Sequence, residues 1–365
     1  MILSRPMKRT LLALAMGGYT DGFDLLIIAG VLGEVLKVFK PTRLETGLLV
    51  STSFLGSIVG AIILGLVCDI MGRRKSYLIS LILFIIGALI SATAQDYGSL
   101  VLGRLLVGLG IGGEIPSSTT LLTEISKKWV GLIFASWAIG ALSATIIPFF
   151  VYPWRIALLL GAVPPLIAVA LHRWIRESEV WLNSSRINNA SKFTVNKASS
   201  IATLVTGLSQ LVLTMVLASF AVYVPGYSMG TQLINWTLFA IGSVLTISAL
   251  RRKHILFLSY LLIGVFLVTY SVTGLFSAIA LVWFFSCLAF GFSFLYVGEL
   301  RSATDRGTFN GFLFFMGRLG GAIGTFSYPL LRYELKEVLL MISLSLMVLS
   351  LIIPFLEETR IEKVE

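Results

Sequence analysis

Apolar residues fall in long runs broken by short polar connections, and each run has about the 20 residues a helix needs to cross a bilayer. The runs lie near 11–36, 45–69, 76–95, 99–125, 130–151, 154–174, 200–224, 231–250, 255–273, 276–298, 308–331 and 336–356, about twelve by that length. In lipid a single segment satisfies its own backbone hydrogen bonds only as a helix. The pattern therefore predicts an all-α membrane protein of twelve transmembrane helices. The connections alternate in charge. Lys8-Arg9, Arg73-Arg74-Lys75, Lys127-Lys128, the stretch 173–197 and Arg251-Arg252-Lys253 are basic, whereas Gln95-Asp96-Tyr97 and Pro225-Gly226-Tyr227 are not. The positive-inside rule then places both termini in the cytoplasm of a multi-pass plasma-membrane protein, with Lys37, Lys40 and Arg43 running against it. The longest polar stretch, 176–200, separates six runs from six. It divides the chain into a six-helix bundle over 1–175, a cytoplasmic linker over 176–199 and a second six-helix bundle over 200–365.

Composition supports this reading: 57% of the 365 residues are hydrophobic and 13% charged, against about 25% charged in a soluble domain. The net charge of +10 sits in the short connections, where topology explains it, so no nucleic-acid partner is expected. Cys68 and Cys287 lie in separate apolar runs, and His172 and His254 stand beside basic residues at the ends of runs. Neither metal nor cofactor site follows, and without a histidine at depth an intramembrane enzyme lacks its base. The segment 1–9 is short and basic with no small-residue cleavage site after the first run, which reads as an uncleaved first helix.

What composition leaves unexplained is the charge inside the runs, since an ionisable side chain near a helix centre costs roughly 2.5 to 3.5 kcal/mol to insert. Asp21 and Asp24 share one face of the first helix, and Glu114 falls at similar depth on the fourth. Arg104 lies about ten residues nearer the outside, roughly 15 Å, within reach of Asp24. Arg318 sits about eleven residues into the eleventh helix with no acidic residue on that helix, and is expected to stand unpaired as a carboxylate-binding group. The halves also echo one another. A basic triplet follows the second and eighth runs, and Glu124 precedes Gly131 as Glu299 precedes Gly307. Two similar halves around a midplane site are a recurrent transporter plan.

Gly65-Leu66-Val67-Cys68-Asp69-Ile70-Met71-Gly72-Arg73-Arg74-Lys75 resembles the loop between helices two and three of the major facilitator superfamily, G-x-x-x-D-x-x-G-R-[RK]. There Gly72 permits a tight turn, while Asp69 and Arg73 can lock one conformation that transport must break. The expected cytoplasmic gate comprises Gly65, Asp69, Gly72, Arg73, Arg74 and Glu124. Arg104-x-x-x-Gly108-x-x-x-Gly112 is similar to the fourth-helix motif of proton-driven members, and Glu177 to Leu182 resembles the P-E-S-P-R-W-L element of sugar porters. Glu358-Thr359-Arg360 is similar to the end of their last helix. Asp21-Gly22-Phe23-Asp24 is similar to the D-G-[FY]-D of aromatic-acid:proton symporters, and Gly112-Gly113-Glu114-Ile115-Pro116 to the G-G-E-x-P of nicotinate-type and synaptic-vesicle-2-related carriers. The second half keeps its basic triplet but lacks the aspartate and turn glycine, so its own lock is expected to be weak or absent.

The resemblance implies the pairing of Asp24 with Arg104; with Asp21 and Glu114 these buried charges form the expected proton-coupling set of a carrier working by alternating access, with Asp24 beside Arg104 as its switch. Arg318, Gln210, Tyr19, Asn235, Trp236 and Tyr296 are the candidate substrate contacts, with Tyr223 and Trp283 as further cavity liners. The expected partners are protons, a small-molecule substrate and the lipid bilayer, and the expected state is a monomer. The substrate reading is a small organic anion such as an aromatic carboxylate. A sugar or other neutral metabolite is the alternative, opposed by Gln210 standing alone where sugar porters carry paired glutamines. A drug:proton antiporter would show a G-P pattern on helix five, where Gly140 and Pro148 stand apart. A non-transporting membrane receptor, which needs sizeable soluble domains, ranks last.

Overall fold

A computed structural model describes residues 4–187, 197–223, 229–246, 252–331 and 335–359. Arg251, Pro225-Gly226-Tyr227, Arg360 and 188–196 of the linker fall outside them. Among the described residues there are helices and no strand. The first half comprises α1 (Arg5–Phe39), α2 (Arg43–Met71), α3 (Arg73–Thr93), α4 (Tyr97–Ile125), α5 (Val130–Ile146), α6 (Trp154–Leu160) and α7 (Val163–His172). A short α8 (Glu179–Ile187) precedes α9 (Lys197–Tyr223), α10 (Met229–Leu245), α11 (Arg252–Thr273), α12 (Phe276–Leu300), α13 (Arg306–Leu331) and α14 (Leu335–Ile352). The run expected over 154–174 is thus two helices, broken at Gly161-Ala162 just before Pro164-Pro165, where proline rings and missing N–H groups forbid an unbroken ladder. With α6 and α7 as one span and the short α8 set aside, twelve spans remain among the described residues. Among the described residues nine of them are long and apolar enough to cross a membrane by composition; α1, α10 and α13 complete the set.

Local chemistry sets the helix ends. The Ser4 hydroxyl accepts the Met7 N–H at 3.4 Å to start α1, and Lys40 closes it in the left-handed region. Thr42 with Glu45 and Asp96 with Ser99 form reciprocal caps for α2 and α4. Gly72 joins α2 to α3 in a single residue at φ +98°, a backbone state closed to other residues without strain.

Glycine decides how closely the helices approach. A Cβ on Gly108 or Gly112 would strike the backbone of α2 at Ser53 or Gly60-Ala61, and one on Gly22 would strike the Trp137 carbonyl of α5. Between the halves α2 lies on α13 and α5 on α10. At the first of these crossings Gly65 and Gly311 meet backbone to backbone.

Candidate functional site

At the basic end the two halves are tied together. The Asp69 carboxylate caps α13: Gly307 N–H donates at 2.9 Å, and the Thr308 N–H and hydroxyl donate at 2.6 and 2.7 Å. Arg73, wholly buried, donates to Asp69 at 3.2 Å, to both oxygens of Glu124 at 3.0 and 2.8 Å, and to the Ala303 carbonyl at 2.5 Å. Glu124 also accepts from Arg306 at 2.8 Å, so one carboxylate holds an arginine from each half. Glu177 accepts the N–H groups of Arg73 and Arg74, each at 3.1 Å, and the Trp181 indole donates to the Asp69 carbonyl at 2.8 Å. Every residue assigned to the gate therefore lies in one cluster, with Gly65 at the backbone crossing behind it.

In the second half Glu299 pairs with Arg252 at 3.4 Å and with Lys127 of the first half at 3.5 Å, with no aspartate or turn glycine beside them. Arg301, Asp305, Arg306 and Thr308 join the same end of the molecule and lie outside the motif, although the charged run Arg301 to Arg306 between two apolar spans marks them in the sequence. His172 ties α7 to the carbonyl of Arg74 at 3.0 Å.

Behind the gate lies a cavity between the halves. Its walls are Phe134 and Trp137 of α5, Trp236 and Phe239 of α10, Trp283, Phe290 and Phe294 of α12 and Phe54 of α2, with Asp21, Gln210, Thr214 and Arg318 as polar groups. The lining continues along α1 through Leu25, Ile28 and Ala29 and to Val50 of α2, so the space runs away from the basic end. The Trp137, Trp236 and Trp283 rings meet edge to face, with centroids 5.4 and 4.6 Å apart. Trp137 was not among the expected liners, although its position three residues after Phe134 puts it on the same helix face.

The Arg318 guanidinium donates from Nη2 to both oxygens of Asp21, at 2.9 and 3.0 Å, and lies 4.4 Å from the centre of the Phe314 ring. This corrects the expectation of an unpaired arginine. No acidic residue was available on α13 itself, but the partner comes from α1 of the other half, which helix-by-helix reading cannot see. Arg104 donates to the main-chain carbonyl of Asp24 and stands 4.0 Å from its carboxylate, as expected of the pair. Both carboxylate oxygens of Asp24, both of Glu114 and both amide atoms of Gln210 lack a hydrogen-bond partner among the described residues. Glu114 is fully buried beside Tyr77 and Gly17 and does not line the cavity.

Of the candidate substrate contacts, Arg318, Gln210 and Trp236 line the space, as does Trp283. Tyr19, Asn235 and Tyr296 do not. Tyr19 lies two residues from Asp21 and hence on another face of α1, stacked on Phe23 at 6.1 Å. Tyr296 donates to the Glu357 carbonyl at 2.5 Å and so secures the segment after α14. Asn235 is buried one position off the face that carries Trp236. The side chain of Tyr223 is outside the described residues. Among the described residues no cluster of histidine, cysteine, aspartate or glutamate is suited to a metal ion.

The family model described as sugar (and other) transporter matches residues 10–203, more than half of the chain. The chain belongs to this family. Family membership makes it a transporter-family membrane protein and not an enzyme. Among its relatives is a niacin transporter of Acinetobacter baylyi, 30% identical over 184 residues, 48% of this chain and 42% of the relative. A glucose transporter of Staphylococcus epidermidis is 32% identical over 186 residues, 49% of this chain and 42% of the relative. A 3-(3-hydroxy-phenyl)propionate transporter of Escherichia coli is 31% identical over 169 residues, 44% of this chain and 42% of the relative. The chain thus spans less than half the length of the curated relatives it matches. Over its whole course it is similar to the major facilitator superfamily proton:xylose symporter XylE, with TM-score 0.81, 16% identity, and 97% of this chain and 96% of that one covered. It is similar also to the human organic anion transporter MFSD10, with TM-score 0.80, 12% identity and 96% and 100% covered. At such identity these likenesses show the fold, which is that of the major facilitator superfamily, two six-helix bundles.

Proposed function

We propose that this protein is a proton-coupled symporter that carries a small organic anion, an aromatic carboxylate above all, by alternating access. The observation that carries the reading is the cavity itself: aromatic walls around one guanidinium, Arg318. Flat rings stack edge to face on tryptophan and phenylalanine, and a guanidinium binds a carboxylate through parallel hydrogen bonds. Relatives named for niacin and for a phenylpropionate derivative are consistent with such a cargo. The sugar alternative is favoured by relatives named for glucose and for arabinose with protons. Against it, Gln210 and Thr214 are the neutral amide and hydroxyl groups in the lining, and Thr214 already donates to the Gly317 carbonyl at 2.6 Å. A sugar would leave most of its hydroxyls unpaired against aromatic carbon, a cost of about 1 to 3 kcal/mol for each buried group.

In this reading residues 1–175 and 200–365 rock about the cavity, joined by a cytoplasmic linker over 176–199, as a monomer in the plasma membrane with both termini inside. The basic end is the cytoplasmic one, closed by Asp69, Arg73, Glu124 and Arg306, and the cavity faces outward. Protons enter through the buried acidic groups of the first bundle. Asp24 and Arg104 both belong to that bundle, so a proton passing through Asp24 on its way to Asp21 loosens the pair with Arg104 and frees α1 from α4. Asp21 reaches Arg318 of the other bundle, and Glu114 is a further buried acid behind the cavity.

A thermal-shift screen of the purified protein against organic acids, sugars and phosphate at acid and neutral pH tests the substrate class, since a ligand at 100 times its Kd stabilises a fold by about 2.7 kcal/mol. Stabilisation by aromatic acids is expected, and stabilisation by sugars alone would overturn the reading.

A further inference from the structure

Asp21 and Arg318 face one another in the cavity wall from opposite bundles, and Asp21 occupies the guanidinium face that an incoming carboxylate needs. Arg318 keeps a donor in reserve, because its Nε has no hydrogen-bond partner among the described residues. Resting on the carboxylate reading above, we infer that Asp21 is an internal stand-in for the substrate: an incoming carboxylate takes Arg318 from Asp21, and Asp21 takes up one proton in the same exchange.

The proton follows from what surrounds Asp21. Once Arg318 has turned to another anion, an ionised Asp21 is left fully buried, and among the described residues no other cation is placed to replace the first. Glu114 faces it from α4 and Asp24 stands three residues on in α1, both acidic. Arg104 of α4 is engaged with Asp24. The cavity-facing side chain of α5 beside it is Trp137, which is neutral. Arg155 of α6 donates to the Ala94 carbonyl at 2.7 Å, and His172 of α7 meets the Arg74 carbonyl at 3.0 Å. The charged groups of α2 stand at its ends, Arg43 and Glu45 at one and Asp69 at the other. A buried carboxylate deprived of its partner takes a proton in preference to staying charged.

The exchange balances. Before it, the site holds one guanidinium and one aspartate carboxylate; after it, one guanidinium, one substrate carboxylate and one neutral aspartic acid. An O–H bond forms on Asp21, the proton comes from the side on which the cavity is open, and the net charge of the site is zero throughout. The empty carrier returns with Asp21 back on Arg318. Symport of a monocarboxylate is therefore one proton to one anion and electrically silent, and an acidic outside drives it without help from the membrane potential.

Calorimetric titration of the whole purified protein with benzoate, in buffers of different ionisation enthalpy at neutral pH, counts protons taken up on binding. One proton per benzoate is expected for the wild type, with affinity rising about tenfold for each pH unit lowered. None is expected for Asp21→Asn, whose affinity then loses its pH dependence. Benzoate binding to the wild type without proton uptake would overturn the inference, as would one proton still taken up by Asp21→Asn. So would loss of the proton in Asp24→Asn or Glu114→Gln while Asp21→Asn keeps it. If Asp21→Asn does not fold, the wild type decides alone: in proteoliposomes an imposed potential of about 100 mV leaves nicotinate accumulation unchanged, whereas a second coupled proton raises it about 50-fold. Failure of any carboxylate to bind at any pH would instead strike at the carboxylate reading on which the inference rests.

Discussion

The closed basic end gives a prediction whose size follows from its bonds. Asp69→Asn keeps the shape of the side chain but replaces a doubly accepting carboxylate with one carbonyl oxygen and one NH2 group. Asp69 accepts three hydrogen bonds from the other bundle, from Gly307 N–H and from the N–H and hydroxyl of Thr308. A hydrogen bond to a charged group contributes about 1.5 to 3 kcal/mol and a neutral one about 0.5 to 1.5, so three such replacements weaken the closed form by about 3 kcal/mol. That corresponds to roughly a 100-fold shift toward the form open at this end. The chain carries its own reporter: Cys68, fully buried, packs against Gly307 across the bundle contact, while Cys287 is equally buried within the second bundle beside Gly242. Maleimide labelling of Cys68 in Asp69→Asn is expected to accelerate by up to about 100-fold, with Cys287 unaffected. Removing the neighbouring charge also sharpens the thiol, but only a few-fold, which labelling of the denatured protein measures separately. An unchanged Cys68 rate in a folded variant would refute the idea that these bonds hold the bundles shut, and equal acceleration of Cys287 would indicate unfolding instead of gating.

Three further outcomes are expected. Gly22→Ala forces α1 off the Trp137 carbonyl of α5 and lowers stability by about 1 to 3 kcal/mol in thermal unfolding, whereas Gly33→Ala on the same helix, with nothing within 4 Å of the added carbon, does not. Asp24→Asn leaves Arg104 buried without a carboxylate and costs about 3 to 5 kcal/mol, part of which the double variant Asp24→Asn/Arg104→Gln recovers in the same assay. Trp236→Ala removes an edge-to-face wall and weakens benzoate binding by about 2- to 12-fold more than acetate binding, measured by calorimetry; an equal loss for both would take the aromatic walls out of ligand recognition.

The spans were legible because lipid permits little else: apolar runs of bilayer length are helices, and eleven of the twelve runs correspond to single helices. The break in the sixth was written in Gly161 and Pro164-Pro165, punctuation that a count of apolar residues passes over. The gate was legible from one local motif, since Asp69, Gly72 and Arg73 act within a single turn. Its other half was not, because Arg306 and Thr308 reach Asp69 and Glu124 from more than 180 residues away. The cavity divided along the same line. Asp24 and Arg104 could be matched by depth, whereas Asp21 with Arg318 depends on how two bundles dock. Tyr19 and Tyr296 show the limit of choosing polar aromatics by depth alone: one or two residues of helix phase decide whether a ring faces the cavity or the packing behind it.

The central claim, proton-coupled carriage of an aromatic carboxylate, is tested most directly by uptake of labelled nicotinate into proteoliposomes with an acidic exterior, net of protein-free vesicles and with xylose in parallel. Accumulation of nicotinate that collapses when a protonophore removes the pH gradient, with no accumulation of xylose, is the expected result. Gradient-driven accumulation of xylose, with nicotinate no higher than in protein-free vesicles, would contradict it.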